Sequence, residues 1–265
     1  GTLGIYDAEG GLSTETGYGI GAVGVGQDYA NTMTRIGMGT DVSADPHVAY
    51  TTPAGLLPFG ISGSVGYAPN TADGQGNSAK STGGSQTVDA DGTNATQYRL
   101  TAAPIDGLKV GADYYEVGND LATLGQNKNS GHMYAQYAMG NFKVGIFDAF
   151  LEPGIATKYG TASADTATAS NGDRYDFSGY GIEFAVNDAM SVSYSQEKYK
   201  RIDKTMAATA TTHTESSVEA EADYIQVAYN IGGATVGIAM VDTDNSDYTD
   251  NKEESKTVFS IAMEF

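Results

Sequence analysis

Every second connection in this chain is short. About twelve segments with an apolar–polar period of two follow one another, and the joints between them alternate between tight turns and long polar stretches. The segments are Thr2 to Asp7, His47 to Thr52, Phe59 to Ala68, Gln97 to Pro104, Leu108 to Val117 and Met133 to Met139, then Phe142 to Leu151, Tyr175 to Val186, Met190 to Lys200, Ala222 to Ile231, Ala234 to Val241 and Ser255 to Phe265. Pro53-Ala-Gly-Leu-Leu-Pro58, Asp106-Gly107, Gly140-Asn141, Asn187-Asp188 and Gly232-Gly233 are hairpin signals. The other joints are the Gly-rich stretch up to about Asp45, Asn70 to Thr96, Asn119 to His132, Pro153 to Asp173, Asp203 to Glu215 and Asp244 to Ser255. A period of two gives each strand unlike faces. Alternating joints place all turns at one end of the sheet and all loops at the other, so the expected fold is all-β, an antiparallel up-and-down meander.

The apolar parity carries Phe59, Ile61, Val65, Tyr67, Tyr98, Leu100, Val110, Ala112, Tyr114, Phe142, Val144 and Ile146. The opposite parity carries Ser62, Ser64, Arg99, Thr101, Lys109, Asp113, Gln136, Lys143, Glu183, Ser191, Ser193 and Gln226. A soluble β-sandwich would bury the apolar parity between two sheets, whereas a membrane barrel would turn it to lipid. The alternation of joints, with Tyr near many strand ends, favours the barrel. No apolar run approaches the roughly 20 residues that a membrane helix needs. A formal net charge of −19 argues against nucleic acid as a partner, and the absence of cysteine removes disulfides and thiolate metal sites.

The last strand, with Thr257, Phe259, Ile261, Met263 and Phe265 on one face, resembles the closing strand of a bacterial outer-membrane β-barrel. The whole arrangement resembles the general diffusion porins of Gram-negative bacteria. That resemblance implies a transmembrane antiparallel up-and-down barrel, with about twelve strands of sixteen visible and about four N-terminal strands outside the given sequence. It implies one domain over residues 1–265, with residues 9–45 as an inward-folded constriction loop, a homotrimer in the outer membrane, and passive diffusion of small hydrophilic solutes and ions. The loop departs from the acidic tip of many porins, since it reads Gly17-Tyr-Gly-Ile-Gly-Ala-Val-Gly-Val-Gly26. A second arrangement closes twelve strands on themselves. A different function, a surface-exposed structural or adhesive barrel whose acidic loops bind ions or partners, is the alternative.

Under the porin reading, Glu9, Glu15, Asp28, Arg35, Asp41 and Asp45 are candidate constriction residues. Arg99, Lys109, Asp113, Lys143, Glu183 and Glu264 are candidate pore-wall residues, and Phe265 is the barrel-closing signal. Charge rings of this kind tune permeation. Lys198, Lys200, Arg201 and Lys204 form the basic cluster of an acidic chain and are expected to meet lipopolysaccharide phosphates. Asp244, Asp247 and Asp250 have spacing suited to Ca²⁺, without the Gly and Glu of an EF-hand; no other cofactor is expected. Gly19-Ile-Gly-Ala-Val-Gly24 matches a dinucleotide fingerprint but lacks the following helix. The histidines His47, His132 and His213 are scattered, no nucleophile stands out, and the chain is read as a non-enzyme.

Overall fold

The computed structural model describes residues 1–7, 10–13, 41–69, 94–118, 129–152, 174–205 and 214–263. They form one sheet of twelve strands in sequence order, each antiparallel to its chain neighbour. The strands are β1 (Thr2–Tyr6), β2 (His47–Thr51), β3 (Ser62–Ala68), β4 (Ala95–Ala102), β5 (Leu108–Val117) and β6 (Asn129–Met139). They continue as β7 (Phe142–Glu152), β8 (Arg174–Asn187), β9 (Met190–Thr205), β10 (Thr214–Ile231), β11 (Ala234–Asp244) and β12 (Glu254–Met263). Among the described residues β1 pairs with β2, β12 pairs with β11, and the two are the edges of the sheet. Among the described residues the twelve strands do not close on themselves.

Among the strand boundaries that differ from the expectation, three have clear physical reasons. Phe59 and Ile61 precede β3, because Phe59 has a positive φ of 59° inside the single 3₁₀ turn Pro58–Gly60. At the other end, β9 and β10 run far past the expected Lys200 and Ala222, to 16 and 18 residues. Charge masks this extension in the sequence, yet the strand period continues. Cross-strand register sets Lys198 opposite Glu221, Lys200 opposite Glu219 and Lys204 opposite Glu215, and opposite charges facing each other support a solvated ladder.

The faces follow the expected parity. Leu3, Ile5, Val48, Tyr50, Val65, Tyr98, Leu100, Met133, Ile146, Ile225, Phe259 and Ile261 are exposed on one face, Ile5 at 84% and Phe259 at 73%. On β10 this outward band runs from Ile231 to Ile225, about 20 Å along the strand at ~3.3 Å per residue. Asp223, Glu221 and Glu219 then replace it, and Asp223 lies opposite Asp242 of β11 and Gln196 of β9, so the boundary is level across strands. Tyr194 marks that boundary, donating its hydroxyl to Asp223 at 2.5 Å.

Glycines on one strand are covered by aromatic rings on the next. Gly111 stands opposite Tyr134, Gly131 opposite Phe150 and Gly179 opposite Phe147. A Cβ at Gly179 would lie 2.5 Å from the Phe147 ring and 2.8 Å from the Gln196 carbonyl oxygen. The missing side chain lets each ring lie across its neighbour's backbone, an aromatic cover for a weak strand residue. Gly179→Val is expected to cost about 1–3 kcal/mol by overpacking, read as a lower denaturant midpoint of refolded protein. An unchanged midpoint would remove the ring cover from the account of the sheet.

Candidate functional site

The covered face, called inner here, has two layers. Toward the loop end lies a buried aromatic cluster that includes Tyr134, Phe147, Leu151, Tyr175, Phe177, Tyr199, Tyr224 and Val241. Tyr175 stacks on Phe177 at 6.3 Å and Phe177 meets Tyr199 edge-on at 5.8 Å. Small residues on the same parity, Ala149, Ala220, Ala222 and Ala239, leave room for the rings. Toward the turn end the inner face is polar, with Lys109, Gln136, Lys143, Glu183 and Ser191. The expectation of a wet inner parity is therefore corrected for the loop-end half. Alternation assigns a face, whereas aromatic content at a given depth decides whether that face is dry.

The pore-wall candidates divide accordingly. Lys143 pairs with Glu183 at 3.9 Å across β7 and β8, both partly exposed, so the pair contributes no more than about 1 kcal/mol. Lys109 is exposed and sits over the Tyr134 ring at 5.6 Å. Asp113 is buried at 7% exposure and accepts a hydrogen bond from Gln97 Nε2 at 2.7 Å. It is a wall residue withdrawn from solvent. Glu264 and Phe265 lie outside the described residues.

Both described ends of the segment 9–45 lie on this inner face. Leu12 and Val42, 2% and 0% exposed, pack with Ala49, Ala68, Ala95, Tyr115 and Val117 of β2 to β5. Gly66 makes the seat, since a Cβ there would meet Val42 Cγ2 at 2.7 Å and Leu12 Cδ2 at 3.2 Å. Val42 N–H donates to Gln97 Oε1 at 3.1 Å, and Arg99 Nη1 donates to the Ser13 carbonyl at 3.1 Å. His47 joins the ends: Leu12 N–H donates to its Nε2 at 3.4 Å, while Nδ1 lies 2.8 Å from the Asp45 carbonyl. Accepting at Nε2 sets the tautomer with hydrogen on Nδ1. The ring stacks on Tyr6 at 4.9 Å.

Of the constriction candidates, Glu9, Glu15, Asp28 and Arg35 lie outside the described residues. Asp41 caps the 3₁₀ turn Val42–Ala44, accepting from Ser43 N at 3.1 Å and Ser43 Oγ at 2.5 Å. Asp45 is buried. The Asp41 carboxylate thus holds a turn, in keeping with the preference of Asp for caps, and Asp45 closes the same turn through its backbone N–H, which donates to the Val42 carbonyl at 3.1 Å. Gln97 and His47, which pin the segment, are absent from the sequence-based candidates. Gln97 sits on the inner parity two residues before Arg99, but parity carries no information on what would fold against it.

The basic cluster splits across the sheet. Lys198, Lys200 and Lys204 share the outward parity, and Lys198 already pairs with Glu221 at 2.8 Å and Glu219 at 3.3 Å. Arg201 points inward, pairs with Asp203 at 3.1 Å and lies over the Tyr248 ring at 5.5 Å. Arg201 is thus removed from the expected lipopolysaccharide contact by the same period of two that defines the strand.

The proposed calcium ligands are not gathered either. Asp247 pairs with Lys252 at 2.8 Å, and Lys252 also reaches Glu254 at 2.7 Å. Hydrogen bonds that the Lys252 ammonium donates to Asp247 and Glu254 hold it above its ordinary pKa. Among the described residues no group of three His, Cys, Asp or Glu side chains is arranged to hold a metal ion. A lysine lies where the cation was expected.

A meander with an outward apolar band ending at a level charged boundary, with turns at one end and long loops at the other, is the wall of an outer-membrane β-barrel. No family model matches the chain, and no curated protein matches it. Among solved structures, a porin refined at 1.8 Å is similar, at 15% identity over 82% of this chain and 62% of that one, with a TM-score of 0.46. Outer-membrane expressed OmpT of Vibrio cholerae is 13% identical over 93% of this chain and 68% of its own, at 0.43. The in-vitro folded trimer form of that OmpT is 12% identical over 82% and 61%, at 0.41. The chain spans about three fifths of the porin's length.

Proposed function

We propose that the chain forms the wall of a water-filled outer-membrane channel through which small hydrophilic solutes and ions diffuse passively, without catalysis. The carrying observation is the seat of residues 10–13 and 41–45 on the inner face, held by Gln97, Arg99 and His47. A segment anchored at both ends inside the wall supports the reading of 9–45 as an inward constriction. The polar turn-end layer of Lys109, Lys143 and Glu183 lines the path, and sieving with electrostatics selects what passes. Homotrimerisation belongs to the same proposal, as does contact of Lys198, Lys200 and Lys204 with lipopolysaccharide phosphates.

The alternative, a structural or adhesive barrel, draws support from the dry aromatic cluster over the loop-end half of the inner face. Planar bilayers separate the two. Refolded full-length protein is expected to insert in discrete steps of stable conductance, whereas silence of protein that has folded correctly, judged by heat-modifiable migration, would leave only the alternative.

A further inference from the structure

Its sequence makes the β11–β12 connection an acidic surface loop, yet the middle of that connection is buried. Ser246 and Tyr248 are 0% and 6% exposed. Tyr248 enters the aromatic cluster, 5.8 Å from the Tyr175 ring and under the Arg201 guanidinium at 5.5 Å. Its side chain therefore comes from a loop but lies against β8 and β9, three and two places from β11 in the sheet order. Such a reach needs the chain to double back over the inner face.

The backbone is set for that course. Asn245, Asp247, Tyr248 and Asn251 all have positive φ, between 52° and 61°, a region that non-glycine residues enter only when their surroundings hold them there. The holding contacts are specific. Ser246 N–H donates to the Lys252 carbonyl at 2.8 Å, Asn251 N–H donates to Asn245 Oδ1 at 2.8 Å, and Asn245 Nδ2 donates to the Glu219 carbonyl at 2.8 Å. The Lys252 pairs with Asp247 and Glu254 close the outside of the turn. Burial pushes the Tyr248 phenol above its ordinary pKa, so the ring stays neutral at physiological pH.

We infer that the turn 245–252 is a second inward element, fixed rather than mobile, which Tyr248 anchors against the wall so that the turn narrows the loop-end mouth of the solute path. This deepens the channel reading and rests on it. Arg201 and Asp203 are the latch, because the guanidinium faces the ring on one side while its Nε pairs with Asp203, and a cation is attracted to an aromatic face most strongly where water is excluded. The acidic side chains Asp244 and Asp250 remain exposed, while the Tyr248 ring is buried and anchors the turn to the wall.

Two measurements test the inference. The chain has no cysteine, so single-cysteine variants report one position each. Ser246→Cys is expected to react with a maleimide at least about tenfold more slowly than Asp250→Cys, since labelling of a buried site waits for local opening. Equal rates would place the turn outside the wall and overturn the inference, whatever the channel does. In bilayers, Tyr248→Ala is expected to raise single-channel conductance by about 1.5-fold by releasing the turn from the wall and widening the mouth, and Tyr248→Leu, which keeps an apolar side chain in the cluster and protects folding, by less. Unchanged conductance in both variants, beside a conducting unsubstituted channel, would overturn the inference and leave the channel reading standing. If the unsubstituted protein is silent, the channel reading and the role of Tyr248 fall together, and slow labelling at position 246 would then describe only a plugged anchor.

Discussion

Alanine at Gly107 is expected to stop the sheet from assembling. Gly107 closes the β4–β5 turn with φ +77°, where an L side chain costs roughly 1–2 kcal/mol. Its missing Cβ is also needed for space, because a methyl there would overlap the carbonyl oxygen of Ala138 on β6. That oxygen belongs to backbone, and Ala138 N–H is itself bonded to the Gly107 carbonyl at 2.9 Å. The turn and the neighbouring strand end cannot separate without losing the bond. The summed cost is about 3 kcal/mol or more, a large part of the margin of a folded domain. Gly140→Ala is the control, since that turn also has positive φ (57°) but nothing lies within 4 Å of its Cβ position. The expected result is failed refolding in detergent for Gly107→Ala and a loss of only about 1 kcal/mol for Gly140→Ala. Equal losses would mean that the contact with β6 contributes nothing.

The second large effect is expected at Gln97. Its amide is 0% exposed and serves two partners, accepting from Val42 N–H and donating to Asp113. Gln97→Leu keeps the volume but leaves the Val42 N–H without that acceptor and takes one donor from a buried carboxylate. Each such loss costs about 1–3 kcal/mol, so denaturation should shift by roughly 2–6 kcal/mol. Arg99→Ala, which loses only the bond to the Ser13 carbonyl, should shift it less. In bilayers the double variant Gln97→Leu with Arg99→Ala should show larger and noisier conductance than the unsubstituted channel, because both described ends of the 9–45 segment lose their tethers. Steady, unchanged conductance would remove that segment from the filter.

The strand map was readable to within a few residues wherever apolar alternation was strong. Leu108–Val117 agrees at both ends and Phe142–Glu152 extends by one residue. It was least readable in β9 and β10, whose outer halves alternate Lys and Glu against Tyr, Ala and Ser; there opposite charges across the ladder replace apolar packing. The split of Lys198 and Lys200 from Arg201 was readable in principle, since position 201 has the opposite parity. Reading the stretch as a charge cluster hid it.

The site was less accessible than the wall. Arg99, Lys109, Lys143 and Glu183 were placed on the inner face by parity, and the structure keeps them there. Asp41, Asp45, Asp113, Asp247 and Arg201 are instead engaged in caps, buried contacts or ion pairs. Short polar side chains take the nearest backbone or charge, and that partner is chosen by how the chain returns. Gln97 and Tyr248 had no distinguishing signal, as each acts on a segment more than forty residues away in sequence.

The sequence by itself determined the number of visible strands, their antiparallel order and the face of each side chain, because alternation is covalent geometry and short turns permit only neighbouring strands to pair. Tertiary structure alone decided depth and cover: where the inner face turns dry, which carboxylates are withdrawn, and that residues 10–13, 41–45 and 245–252 fold against the wall. Those outcomes depend on space left by Gly66, Ala149 and Ala222 beneath incoming side chains, and the space exists only once strands distant in sequence lie side by side.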